Sequence, residues 1–183
     1  MTAFDAAFGK GGVTRDRLEQ ALATFQRSIV STDAPFDRWL SGDENAISAA
    51  AKRGFALFNG KANCAACHTS WGFTDAGFHD IGVAKDDDVG RGRLFPTSVK
   101  LQHAFKTPTL RDIARRAPYM HDGSIASLAE VIDLYDRGGI DRPSRDNDIR
   151  PLNLQDGEKA DLIAFLNTLN GTRKAYPIPP LPR

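Results

Sequence analysis

The chain contains two cysteines, Cys64 and Cys67, and His68 directly follows the second. Two thiols three positions apart can add to the two vinyl groups of a haem while the adjacent imidazole reaches the iron. The run Asn63-Cys64-Ala65-Ala66-Cys67-His68 therefore reads as an attachment site for one covalent haem c. Cys64 and Cys67 would bind the cofactor, and His68 would be the proximal iron ligand. Other uses of a cysteine pair need partners that the sequence does not offer. A zinc site needs a second ligand pair, whereas His79, His103 and His121 are scattered singly. A thioredoxin-like dithiol needs a surrounding βαβ pattern, and none is visible. Two cysteines are also too few for a disulfide scaffold.

For the other face of the iron the sequence offers Met120, Tyr135, His79, His103 and His121. Simple cytochromes use methionine, and Met120 stands at a plausible spacing after His68. A thioether favours ferrous iron, whereas a tyrosinate is a hard anionic donor that favours ferric iron. Residue chemistry alone leans to Met120 and leaves Tyr135 open. His121, beside Asp122 and Gly123, suits a backbone hydrogen bond or a haem propionate equally. The Asp86-Asp87-Asp88 run reads as a solvated loop, because calcium needs more oxygen ligands at loop spacing.

The elements that must position these groups read as helices. Thr14 caps a helix carrying Leu18, Leu22, Phe25 and Ile29 on one face, with Val13 placed to staple on Leu18. A short helix follows from Phe36 to Leu40, and another from about Ser48 to Asn59 ends at Gly60, just ahead of the cysteines. Ser127-Leu128-Ala129-Glu130 is a capping box opening a helix to about Arg137. Asn153 is the expected cap of a last helix bearing Leu162, Ile163, Leu166 and Leu169. Between Thr69 and Pro118 no period persists, and a loop of that length in a compact domain implies packing around something other than protein. No strand ladder is expected.

Length and composition limit the alternatives. With 183 residues, 41% hydrophobic and 26% charged, the chain has globular composition and room for one core plus an extension. Lys and Arg number 24 against 23 Asp and Glu, so no positive field remains to bind nucleic acid. No apolar run approaches the length of a membrane span. The opening Met1-Thr2-Ala3-Phe4-Asp5 shows no secretory signal, yet c-type haem is normally attached outside the cytosol, so a periplasmic location is expected.

Several motifs together resemble a known family. Phe58-Asn59-Gly60-Lys61-Ala62-Asn63-Cys64-Ala65-Ala66-Cys67-His68, Phe78-His79-Asp80-Ile81-Gly82-Val83, Phe105-Lys106-Thr107-Pro108-Thr109-Leu110-Arg111 and Ala117-Pro118-Tyr119-Met120-His121-Asp122-Gly123 are similar to the C-terminal haem domain of bacterial di-haem cytochrome c peroxidases and MauG-type proteins. The resemblance implies an all-α, cytochrome c-like haem domain with long loops around the haem. Residues 1–45 would be a helical interdomain segment, 46–172 the haem domain and 173–183 a Pro-rich tail. It implies Tyr135 as the second axial ligand, because MauG-type members carry tyrosine there and electron-transfer peroxidases carry methionine. Met120 aligns with a position that is commonly aromatic. Arg111 would pair with a haem propionate. The family's interdomain calcium, held near the equivalents of Arg116 and Pro118, is doubtful here because an arginine is a poor neighbour for a cation. The implied activity is peroxide reduction with electrons from a small donor protein, a cytochrome or cupredoxin. The family's peroxidatic haem belongs to an N-terminal half, which this chain would find in a missing segment or a second subunit. A free-standing mono-haem electron carrier is the alternative, and a mono-haem peroxidase using His121 is a third reading.

Overall fold

The computed structural model describes residues 3–85 and 87–172. Helices α1 (Ala3–Phe8), α2 (Arg15–Ser28), α3 (Pro35–Leu40), α4 (Ala49–Asn59), α5 (Leu128–Arg137) and α6 (Asp156–Asn167) make the framework. Their starts follow capping chemistry: the Thr14 hydroxyl accepts from the Arg17 amide, Ser48 from Ala51, and Ser127 and Glu130 close a reciprocal box. The last helix departs from expectation. Asn153 has a left-handed backbone (φ 53°), incompatible with the extended geometry of a cap, and Gln155 takes that place two residues later. The Pro-rich segment 173–183 lies outside the described residues.

The chain divides into two compact units, Met1–Ser31 and the residues from Thr32 onward. Within the first, Leu18, Leu22, Phe25 and Ile29 stay exposed, as does Val13 of the expected staple. The unit's own α1 is under two turns long and has no buried residue of its own.

The second unit is built on the crossing of α4 and α6. Phe165 is fully buried and meets Phe58 at 5.0 Å, Phe55 at 5.3 Å and Phe36 of α3 at 5.4 Å between ring centroids. Leu162, Leu166 and Leu169 complete the same buried stripe. These mutually tilted ring pairs combine large buried area with favourable quadrupole geometry. Gly54 is the contact point, since a Cβ there would overlap the Asp161 carbonyl oxygen.

The long segment between Thr69 and Pro118 is largely irregular, but it contains one pairing the sequence did not reveal. Strands β1 (Phe78–His79) and β2 (Phe105–Lys106) pair antiparallel, with Phe78 opposite Lys106 and His79 opposite Phe105. Two residues per strand are too few for an alternating pattern to register. The strand end is anchored by Asp80, which is fully buried. Its carboxylate accepts from Arg142 Nε and Nη2, both at 2.6 Å, from Ser144 Oγ at 2.7 Å and from the Gly82 amide at 2.9 Å. Burial opposes this charge, but four donors outweigh it and hold the Asp80 carboxyl below its ordinary pKa.

Replacing Gly54 with alanine should push α4 off α6 and cost about 2–3 kcal/mol, lowering the melting temperature by roughly 4–12 °C. Thermal unfolding followed by circular dichroism tests this, and an unchanged transition would show that the crossing is not the main packing constraint.

Candidate haem site

Helix α4 delivers the two cysteines. It closes at Gly60, whose amide bonds the Ala56 carbonyl at 2.9 Å. Asn63 then turns the chain in a left-handed conformation (φ 50°) into a tight 3-10 turn at Cys64–Ala66. The His68 amide returns to the Cys64 carbonyl at 2.9 Å, so Cys64, Cys67 and His68 occupy one wound segment and all line the same cavity.

His68 is oriented as a ligand would be. Its Nδ1 lies 2.9 Å from the Phe73 carbonyl oxygen, a contact that places the proton on Nδ1, and the Pro108 carbonyl also acts on the ring as an acceptor. Burial is the leading influence on this imidazole and lowers its pKa, favouring the neutral form that binds metal.

The thiols are held protonated. Burial pushes Cys64 up to about 12. Burial pushes Cys67 up to about 11, and the carboxylates of Asp146, Asp75 and Asp148 reinforce it. A redox dithiol needs the opposite electrostatics, a thiolate favoured near neutral pH. Cys67, Asp75 and His79 do bring potential ligand atoms within 4.8 Å of one another. His79 nevertheless has Nε2 on Asp75 at 2.8 Å and Nδ1 on Asp146 at 2.7 Å, so neither nitrogen keeps a lone pair for a metal.

The cavity measures about 330 Å³ and is walled mainly by apolar side chains, among them Ile81, Val83, Leu110, Leu128, Val131, Ile132 and Leu166. Helix α5 contributes Tyr135 to it. The Tyr135 hydroxyl has no hydrogen-bond partner among the described residues, and burial raises its pKa, with the nearby thiols adding to the effect. Ionising this phenol requires a cation at close range. Met120 also lines the cavity, from a turn in which its own φ is 73° and the Tyr119 amide bonds the Ile125 carbonyl at 2.7 Å. His68 and the unpartnered Tyr135 hydroxyl thus share an apolar cavity with both thiols. That donor set fits a covalently attached haem.

Arg111 is placed elsewhere. It is 5% exposed and does not line the cavity; its Nη1 bonds both oxygens of Asp37 at 2.7 and 2.9 Å, and its Nε bonds the Trp71 carbonyl at 3.0 Å. Its guanidinium ties α3 to the loop after His68. The cations that do line the cavity are Lys106 and Arg150, both exposed and without an ion pair among the described residues. Nothing in the spacing of Arg150 marked it in advance. His121 also lines the cavity, with its Nε2 2.6 Å from Asp88 and its ring stacked on Phe105 at 3.6 Å. His103 Nδ1 lies 3.0 Å from the Asp88 carbonyl. Asp88 therefore serves as an anchor for two histidines rather than as free loop surface.

Comparison with known proteins agrees with this geometry. Residues 1–45 match the family model described as di-haem cytochrome c peroxidase, and residues 51–170 match the cytochrome c model. The methylamine utilization protein MauG of Methylorubrum extorquens is 55% identical over 163 residues, covering 88% of this chain and 46% of that protein. MauG of Methylophilus methylotrophus is 52% identical, covering 98% of this chain and 54% of its own length. Cytochrome c551 peroxidase of Nitrosomonas europaea is 31% identical over 98% of this chain and 52% of itself. The chain spans about half the length of these curated relatives. A crystal structure of a MauG-like protein associated with microbial copper homeostasis superposes with a TM-score of 0.78 at 31% identity, covering 92% of this chain and 61% of that one.

The bracket around His79 has a pH signature. Burial pulls the His79 pKa down, but hydrogen bonds to Asp146 and Asp75 outweigh it and raise it above 6.5. Asp75 and Asp146 are in turn held below 3.8 despite burial. The stabilisation is complete between those two ordinary values and is lost as pH rises through the raised His79 pKa. His79→Gln should remove this alkaline loss, so that stability from about pH 6 to 9 falls in the parent and stays flatter in the variant. Parallel curves in urea unfolding would overturn the assignment.

Proposed function

The chain belongs to the cytochrome c family, among its MauG-type and di-haem cytochrome c peroxidase members, and from that premise we propose that it is a haem c electron-transfer module of a peroxide-linked oxidoreductase. One observation carries the reading. His68, its ring held by the Phe73 carbonyl, and the unpartnered Tyr135 hydroxyl line the same apolar cavity as Cys64 and Cys67. Cys64 and Cys67 would attach the haem, and His68 and Tyr135 would be its axial ligands, with Met120 packed against it.

Bound there, the haem supplies a one-electron store. The chain's own residues set its character. The Phe73 carbonyl fixes the His68 ring and raises its basicity. Tyr135 offers a hard anionic donor that favours the higher oxidation states, and the apolar wall keeps water from competing. Lys106 and Arg150 are the cations positioned to meet propionate charge. With His68 and Tyr135 both committed to holding the haem, this module would suit relay of electrons rather than direct capture of peroxide. The peroxide chemistry is assigned to a second haem domain, as in the longer relatives, and the electron source to a small cytochrome or cupredoxin. The need for covalent haem attachment supports a periplasmic location. Among the described residues no helix is long and apolar enough to cross a membrane.

Intact mass and haem staining of the protein purified from its native source test this directly. A heavier species with two haems supports the peroxidase assembly, and a species near 20 kDa with one haem favours the free electron carrier. The ligand assignment has its own test. Tyr135→Phe should alter the ferric optical spectrum and raise the reduction potential, while Met120→Leu should leave the spectrum essentially unchanged. The reverse pattern would reassign the ligand to Met120.

A further inference from the structure

Residues 91–106, Arg-Gly-Arg-Leu-Phe-Pro-Thr-Ser-Val-Lys-Leu-Gln-His-Ala-Phe-Lys, contain four Lys and Arg and no Asp or Glu. In a chain whose charges otherwise balance, this is a local excess. The structure folds the segment into a closed loop. Gly90 and Ala104 form a bridge at its neck, the Arg91 amide bonds the Ala104 carbonyl at 2.8 Å, and the His103 amide bonds the Val89 carbonyl at 2.8 Å. Inside, Gln102 Nε2 donates to the Pro96 carbonyl at 3.1 Å, and the side chain lies directly over Gly92, where a Cβ would clash at 2.6 Å. Arg91 is clamped between Phe78 of β1 and Phe95, 4.6 and 5.5 Å from the ring centroids. The loop is therefore a braced surface.

Its outer face is apolar and positive. Leu94 is 66% exposed, Val99 59% and Phe95 46%. Arg93 and Lys100 stand exposed among them, and Lys106 at the base. None of these cations forms an ion pair among the described residues, although Lys100 is near enough to Asp146 to help lower its pKa. A large apolar side chain left bare once is ordinary; three within six residues, rimmed by unpaired cations, make a recognition surface. The base of the loop runs directly into the cavity wall, because His103, Phe105 and Lys106 line the haem cavity.

We propose that the face formed by Leu94, Phe95 and Val99, ringed by Arg93 and Lys100, docks a small acidic redox protein and brings it to the edge of the haem cavity. The proposal rests on the haem electron-transfer reading and adds the place and charge of the partner. Unpaired cations select an acidic surface and accelerate encounter, while the apolar centre releases water on contact. A short-lived complex suits this chemistry, since redox encounters use small interfaces.

The test uses the haem-loaded protein, reduced by a panel of two small copper proteins, one acidic and one basic, with stopped-flow detection over a range of salt. The acidic donor should react faster, and its rate should fall as salt rises. Arg93→Glu with Lys100→Glu should slow it by about tenfold or more at low salt and favour the basic donor instead. Leu94→Ala with Val99→Ala should slow the acidic donor at every salt concentration. Haem spectrum and reducibility by dithionite are measured on each variant. A protein that takes up no haem overturns the function reading and this one with it. Normal haem with an unaltered donor rate after charge reversal overturns the docking surface alone. Binding of the loop to anionic lipid vesicles, with indifference to the acidic donor, would likewise overturn it in favour of a membrane surface.

Discussion

The close approach of α4 to α6 is the constraint from which the site follows. Because Gly54 carries no side chain, the backbone of α6 at Asp161 can sit against α4, and Phe165 can enter the aromatic cluster with Phe36, Phe55 and Phe58. α4 is then fixed in position to its last turn. Cys64 follows four residues after the Gly60 closure, so the first attachment point inherits the rigidity of the core rather than that of a loop. Arg53 strengthens the same crossing from outside through two 2.7 Å contacts to Asp161, though an exposed pair of this kind contributes little by itself. Apolar burial supplies most of what holds the two helices together.

Away from that crossing the second unit has little regular structure, and polar side chains take over the task that ladders perform elsewhere. Asp80 gathers Arg142, Ser144 and the Gly82 amide; His79 joins Asp75 to Asp146; Asp112 accepts from the Gly171 amide at 3.0 Å. Each joins segments distant in sequence. Buried charges are costly unless nearly every lone pair is met, and here the acceptors are close to saturated. Such networks define one arrangement of the loops, and that matters because apolar contacts in an irregular segment are non-directional. The cavity wall is specified by its polar frame.

What the sequence revealed and what it hid divide along the same line. The caps at Thr14 and Ser127 and the CxxCH turn were legible because their chemistry is local: the signal and its consequence lie within four residues. The stop at Gly60 was equally legible. Asn153 misled because a cap-forming side chain says nothing of its own backbone angle, which here is left-handed. Arg111 has a partner that its local sequence does not show. A cation near a haem motif suggests a propionate, but Asp37, far away in sequence, was already its partner. Arg150, Asp88 and the β1–β2 pair were hidden because each depends on contacts between segments tens of residues apart. The apolar stripe of α2 was read correctly as a stripe; that it stays exposed within its own unit depends on what that unit contains.

The electrostatics around the cysteine turn also bear against one common use of a cysteine pair, the redox dithiol. Cys64 sits in apolar surroundings, and Cys67 faces Asp75, Asp146 and Asp148. Both environments oppose a thiolate, which is the species that attacks disulfides. A thioether carries no charge, so attachment to a haem removes the titration and leaves the cysteines compatible with burial and with the neighbouring carboxylates. Across the cavity the phenol meets the same constraint. An ionised Tyr135 is unstable in this pocket by itself, yet iron bound opposite His68 would supply the positive charge that its environment lacks. Burial thus acts on both thiols, the imidazole and the phenol in one direction, favouring the neutral form of each.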